Sequence, residues 1–159
     1  MANEAKVRVL VVDDDPAFVE ALRTMFEVDE RLYVVGEAHD GEQAVALAAE
    51  LSPDVVAMDI VMPLLDGIDA ARIIRARRPE CRVVLVSGSI FQDRIGNGVE
   101  LARDAGASAY VLKSRAVLEL ADTVVQAAHS PETADLLILG PGRLTAFLSE
   151  ESLRTYRVT

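Results

Sequence analysis

Apolar residues in this chain gather into short, nearly unbroken runs, separated by longer stretches in which they recur every three or four positions. The runs are VRVLVV (7–12), LYVVGEA (32–38), DVVAM (54–58), RVVLVS (82–87) and AYVLK (109–113). Four of the five are almost continuous in valine, leucine and isoleucine, as in parallel strands covered on both faces. The intervening stretches carry helical spacing. Residues 16–28 set Phe18, Leu22, Met25 and Phe26 on one side, and 41–50 follow a His39-Asp40-Gly41 turn and stop before Pro53. Residues 66–78 end before Pro79, and 99–107 and 115–128 complete the series. Apolar positions at i, i+3 and i+4 coat one face of each helix.

Five strand-helix units in succession predict an α/β fold, a doubly wound five-stranded parallel sheet. Right-handed crossovers and a strand order of 2-1-3-4-5 put the switch point between the first and third strands. The polar residues that end the strands then meet on one edge. Asp13 and Asp14 follow the first strand, Asp59 the third, Ser87 the fourth and Lys113 the fifth. The carboxyl edge is where sheets of this class bind ligands.

Three consecutive aspartates at one strand end need an explanation. Two carboxylates ~4 Å apart repel by roughly 4 kcal/mol at an effective dielectric near 20. Asp15 precedes Pro16, and a capping carboxylate followed by proline is a strong helix start. Asp15 is therefore read as a cap. Asp13 and Asp14 are left facing Asp59, an all-oxygen donor set without histidine or cysteine, which suits Mg²⁺ or Mn²⁺ rather than zinc. A carboxylate such as Asp59 is a feasible nucleophile toward phosphorus. Transfer of that kind depends on positioning and charge stabilisation, for which Lys113 supplies a compact cation and Ser87 a hydroxyl donor.

Composition narrows the partners. The formal net charge of −10 argues against a broad nucleic-acid footprint. The basic run ARIIRARRPECR, with Arg72, Arg75, Arg77, Arg78 and Arg82, reads as the solvated end of a helix, where cations suit the dipole. Cys81 is the single cysteine, so no internal disulfide is available, and a structural thiol in a reducing cytosol is expected. The N-terminus carries no signal-peptide pattern, and no stretch approaches the ~20 apolar residues of a membrane span. A cytoplasmic location, no membrane and no direct DNA binding are the expectations.

The motifs VVDDDP, MDIVMPLLDG, VLVSG and GASAYVLKS, at these spacings, resemble those of response-regulator receiver domains of two-component signalling. The resemblance covers residues 6 to about 128, so a receiver domain is assigned to 1–129. It implies the flavodoxin-like receiver fold and a phosphoprotein that takes phosphate from a histidine kinase or phosphotransfer protein. It implies Asp59 as phospho-acceptor, with Mg²⁺ (or Mn²⁺) held by Asp14, Asp59 and the backbone carbonyl of Val61. Asp13 would act through water or orient the site, Lys113 would bind the phosphoryl group, and Ser87 and Tyr110 would be the switch residues. Such a protein is not a turnover enzyme; it catalyses only its own phosphorylation and dephosphorylation. Its output would pass to a further protein through the surface of the fourth helix, fifth strand and fifth helix, or through the C-terminal extension. A homodimer is a further candidate assembly.

Two features depart from the family pattern. Ser114 stands where a proline often follows the lysine, a residue that NarL/LuxR-type receivers also commonly lack. The segment SGSIFQDRIGNGVE after Ser87, with Gly88, Gly96 and Gly98, runs a few residues longer than usual. Val61, two positions after the acceptor, is apolar and cannot hold an attacking water, which favours slow autodephosphorylation.

Beyond Ala128 the pattern changes, and 130–159 reads as a C-terminal extension of short helices. Ser130 serves as cap, Pro131 as first helical residue and Gly140 as stop, and Leu144, Phe147 and Leu148 share a later face, with Leu153 and Tyr156 extending it. The extension is too short and insufficiently basic for a helix-turn-helix module. Two other functions fit parts of the sequence. Asp13-x-Asp15 has the spacing of haloacid-dehalogenase-type phosphohydrolases, although Pro-Ala-Phe follows it and Asp59 is left without a role. The third reading is a receiver-fold interaction module that is never phosphorylated.

Overall fold

The computed structural model describes residues 5–88, 98–130, 137–139 and 146–147. Strands β1 (Val7–Val12), β2 (Leu32–Ala38), β3 (Val55–Asp59), β4 (Arg82–Ser87) and β5 (Ala109–Leu112) alternate with five helices. These are α1 (Pro16–Glu27), α2 (Gly41–Leu51), α3 (Gly67–Arg77), α4 (Gly98–Asp104) and α5 (Ala116–His129), the last preceded by a 3-10 turn at Lys113–Arg115. The five strands are parallel in the order β2-β1-β3-β4-β5, as the pattern predicts.

Local chemistry sets the helix starts. Asp15 Oδ1 accepts from Ala17 N at 3.0 Å, Asp40 Oδ1 from Gln43 N at 2.7 Å and Asp66 Oδ1 from Asp69 N at 2.8 Å. Each carboxylate satisfies an amide that has no partner inside its own helix.

Alternate residues of each central strand feed two apolar layers. Leu10, Val12, Val56, Met58, Val83 and Leu85 pack with Ala44, Ala48, Ile68, Ile74 and Ala102 of α2, α3 and α4. Val9, Val11, Val55, Ala57, Val84 and Val86 pack with Val19, Leu22, Phe26, Leu120 and Val124 of α1 and α5. Burial on both faces is why these strands read as continuous apolar runs. Among the described residues, no helix is long and apolar enough to cross a membrane.

The basic run is more than a solvated helix end. Arg75 donates to the carbonyls of Pro79 and Cys81, and Arg78 to that of Ala49 at 2.8 Å. Arg82 is buried and donates to the carbonyls of Pro79 and Glu80, both at 3.1 Å, and of Ser130 at 3.0 Å. These guanidinium groups satisfy carbonyls of the α3–β4 turn and of the C-terminal ends of α2 and α5. Burial pushes the Cys81 thiol up to about 11, in keeping with a structural role.

The C-terminal reading needs correction. Leu137–Leu139 is not helical but forms β6, parallel to β5, and Ala146–Phe147 forms β7, antiparallel to β6. Among the described residues, these two short strands extend the five-stranded parallel sheet at its β5 edge. A short apolar run such as LLIL has no periodicity that separates helix from strand, and the β5 edge decides in favour of strand. Ser130 closes α5, donating its amide to Ala127 O at 3.2 Å and its hydroxyl to Gln126 O at 2.7 Å. The glycine-bearing segment at 89–97, Pro131, Gly140, Leu144, Leu148, Leu153 and Tyr156 lie outside the described residues.

Candidate functional site

Parallel pairing brings the ends of β1, β3, β4 and β5 to a common edge. Asp59 lies opposite Val86, and Ser87 opposite Leu112, one residue before Lys113. Asp13 and Asp14 leave β1 on the other side of β3. One oxygen from each of Asp13, Asp14 and Asp59 lies within 4.8 Å of the other two. Asp13 and Asp59 are buried, and Asp14 is exposed at the rim.

The cluster is unevenly compensated. Asp13 Oδ1 accepts from Asp15 N at 2.8 Å, whereas Asp13 Oδ2 is buried without an aligned hydrogen bond. Lys113 Nζ stands 2.8 Å from that oxygen, at ion-pair distance, and donates to Asp59 Oδ2 at 3.3 Å. The same ammonium lies over the Phe18 ring, 4.6 Å from its centroid, a cation–π contact that holds the lysine toward the carboxylates.

Desolvation, and then the neighbouring Asp13 charge, push the Asp59 carboxyl up from 3.8 to about 6, against the opposing pull of Lys113. Burial alone would lower the Lys113 ammonium, but its contacts with Asp13 and Asp59 outweigh this and hold it above the usual lysine range. One ammonium thus faces three carboxylates. The oxygen-only donors and this excess negative charge fit a hard divalent cation. His39 lies outside that donor set, its Nδ1 at 3.3 Å from the Asp13 backbone carbonyl.

The remaining predicted residues fall as follows. Asp15 caps α1 and stands apart from the converging carboxylates, which removes the Asp13-x-Asp15 pairing that the phosphohydrolase reading requires. Ser87 is fully buried at the end of β4. Tyr110 is fully buried on β5 and belongs to the layer of α2, α3 and α4. The Val61 side chain, two residues past Asp59, is 66% exposed.

Two contributors escaped the sequence reading. Gly67 begins α3 and donates its amide to Ile60 O at 2.8 Å; a β-carbon there would stand 2.0 Å from the Asp59 carbonyl oxygen. Only glycine lets α3 start against the backbone of the acceptor strand. Its signal was the Asp-Gly pair in LLDGID, which reads as a cap but gives no hint of what lies opposite. Phe18 was assigned to the apolar face of α1, and nothing in helical periodicity marks a ring that carries an ammonium.

The response regulator receiver domain family matches residues 9–125. The chain is 34% identical over 134 residues to the transcriptional regulatory protein LiaR of Bacillus subtilis, covering 84% of this chain and 62% of LiaR. It thus spans less than two-thirds of that relative's length. The signal receiver domain of the putative response regulator NarL from Mycobacterium tuberculosis superposes with a TM-score of 0.73 at 33% identity, covering 79% of this chain and 98% of that one. A LuxR-family two-component response regulator from Aurantimonas sp. superposes with a TM-score of 0.77 at 28% identity, covering 98% of this chain and 100% of that one.

Proposed function

Since this chain belongs to the response regulator receiver domain family, we propose that Asp59 accepts a phosphoryl group from a histidine kinase or phosphotransfer protein. The observation that carries this reading is the buried Asp59 carboxylate, with Asp13 and Asp14 oxygens within 4.8 Å and the Lys113 ammonium at 3.3 Å. An Asp59 oxygen attacks phosphorus as the P–N bond of the donor phosphoimidazole breaks, and the bonding pair leaves on the ring nitrogen. Lys113 draws off charge from the phosphoryl oxygens, and the Ser87 hydroxyl donates to one of them. Asp14, Asp59 and the Val61 carbonyl would hold Mg²⁺ or Mn²⁺, with Asp13 linked through water or orienting the set. When bound, the metal supplies the positive charge that lets an anionic nucleophile meet an anionic phosphoryl group.

The same contacts supply a switch. Lys113 directly follows β5, and Ser87 pairs with Leu112, so a new charge on Asp59 pulls on the ends of β4 and β5 together. An output protein would read the altered surface of α4, β5 and α5. The chain acts on its own phosphoryl group and does not turn over external substrate.

Incubation with a small phosphodonor and Mg²⁺ tests the reading. Intact-mass measurement should show one added phosphoryl group, acid-stable and base-labile, absent from Asp59→Asn. An unchanged mass under conditions that modify a control receiver rules the proposal out.

A further inference from the structure

The two edges of the five central strands differ. β2, on one side, is blunted: its register with β1 shifts between Val9 and Leu10, and Glu37 pairs with Arg23. β5, on the other, is short, at four residues, but carries no bulge and no charge of its own. Its sequence AYVL carries no charge and no proline, and its register with β4 runs unbroken from Ala109 to Leu112. An uncharged, proline-free edge with free backbone groups is a template for pairing with another chain.

β6 occupies that edge. Ala109, Tyr110 and Val111 pair in parallel with Leu137, Ile138 and Leu139, and β7 lies antiparallel beyond them, with Leu137 opposite Phe147. The connection through α5 repeats the parallel strand-helix-strand construction of the preceding units. Arg82, rooted at the start of β4, donates to Ser130 O and fixes where the chain leaves α5. The alignment with the LuxR-family regulator covers 98% of this chain, more than the receiver span of 9–125.

We propose that Leu137–Leu139 and Ala146–Phe147 are an intramolecular cap that closes the β5 edge against a second copy of this chain. These two segments are thereby a sixth and seventh strand added to the β5 edge. The excluded occupant is another β5 edge, because apolar AYVL offers pairing to an identical uncharged strand without a lysine or proline to prevent it.

Full-length chain is the test material. Successive amides of a strand point to opposite edges, so one of Ile138 and Leu139 directs its N–H toward β5; Ile138→Pro and Leu139→Pro are made separately. In the wild type, the amides of Leu137–Leu139 and Ala109–Leu112 should be protected from hydrogen exchange. In one of the two variants, exchange across Ala109–Leu112 at low concentration should rise by about tenfold or more. The same variant should sediment as larger species than the wild type as concentration increases. Unprotected amides at Leu137–Leu139 in the wild type overturn the proposal, and that measurement requires no variant. Sedimentation unchanged from wild type in both variants overturns it as well, even if exchange quickens, because the freed edge then recruits no second copy.

Discussion

Two single positions beside the acceptor make opposite demands on their side chains. Gly67 must have none, because a β-carbon would stand 2.0 Å from Asp59 O and 2.9 Å from the Asp59 carbonyl carbon. Gly67→Ala should therefore destabilise the protein by about 2 kcal/mol or more and slow phosphorylation of Asp59. Chemical denaturation and the phosphodonor assay read the two effects separately. Val61 is exposed but apolar, and it lacks the polar atom that would hold a water in line with the acyl phosphate. Replacing it with asparagine should shorten the lifetime of the phosphorylated chain several-fold. A phosphate half-life unaffected by Val61→Asn would show that the water is positioned elsewhere.

Among the elements, the turn from β1 into α1 separates structural from chemical use of three identical side chains. Asp15 caps α1 through Ala17 N, Asp13 is buried between Asp15 N and Lys113, and Asp14 remains at the rim of the carboxylate cluster. Asp15→Ala should cost about 1 kcal/mol of stability and leave Mg²⁺ affinity near wild type. Asp14→Ala should weaken Mg²⁺ binding while leaving the unfolding midpoint of metal-free protein nearly unchanged. A metal titration of both variants tests this division. Equal loss of affinity in the two would mean that the cap also organises the metal site.

At the scale of the whole molecule, the site stores an electrostatic cost that folding must carry. Asp59 titrates near 6 in the metal-free protein against 3.8 for an ordinary aspartate, so the folded state holds the proton more tightly than the unfolded one. Its contribution to stability is complete below pH about 4 and is lost as pH rises through about 6, on the order of 2–3 kcal/mol. In EDTA, Asp59→Asn should therefore be the more stable protein at pH 8, and the difference should vanish near pH 4; urea denaturation at both pH values measures it. Added Mg²⁺ should stabilise the wild type at pH 8 and do so far less in Asp59→Asn. A variant no more stable than wild type at pH 8 would mean that Lys113 already neutralises the site.

The sequence alone determined the alternation of strands and helices and the parallel character of the central strands, because continuous apolar runs and helical spacing report burial that each element experiences locally; their order was what the resemblance to receiver domains implied. It also determined which side chains meet, since residues that end parallel strands share an edge whatever the details of packing. Asp13, Asp14, Asp59, Ser87 and Lys113 were legible for that reason. Tertiary structure alone decided the contacts made across elements. The demand for glycine at 67 comes from the backbone of β3, the ring of Phe18 meets an ammonium that arrives from β5, and Arg82 is buried against the end of α5. It also decided the state of Leu137–Leu139. Four apolar residues in a row suit helix and strand alike, and only the open hydrogen-bonding edge of β5 selects between them.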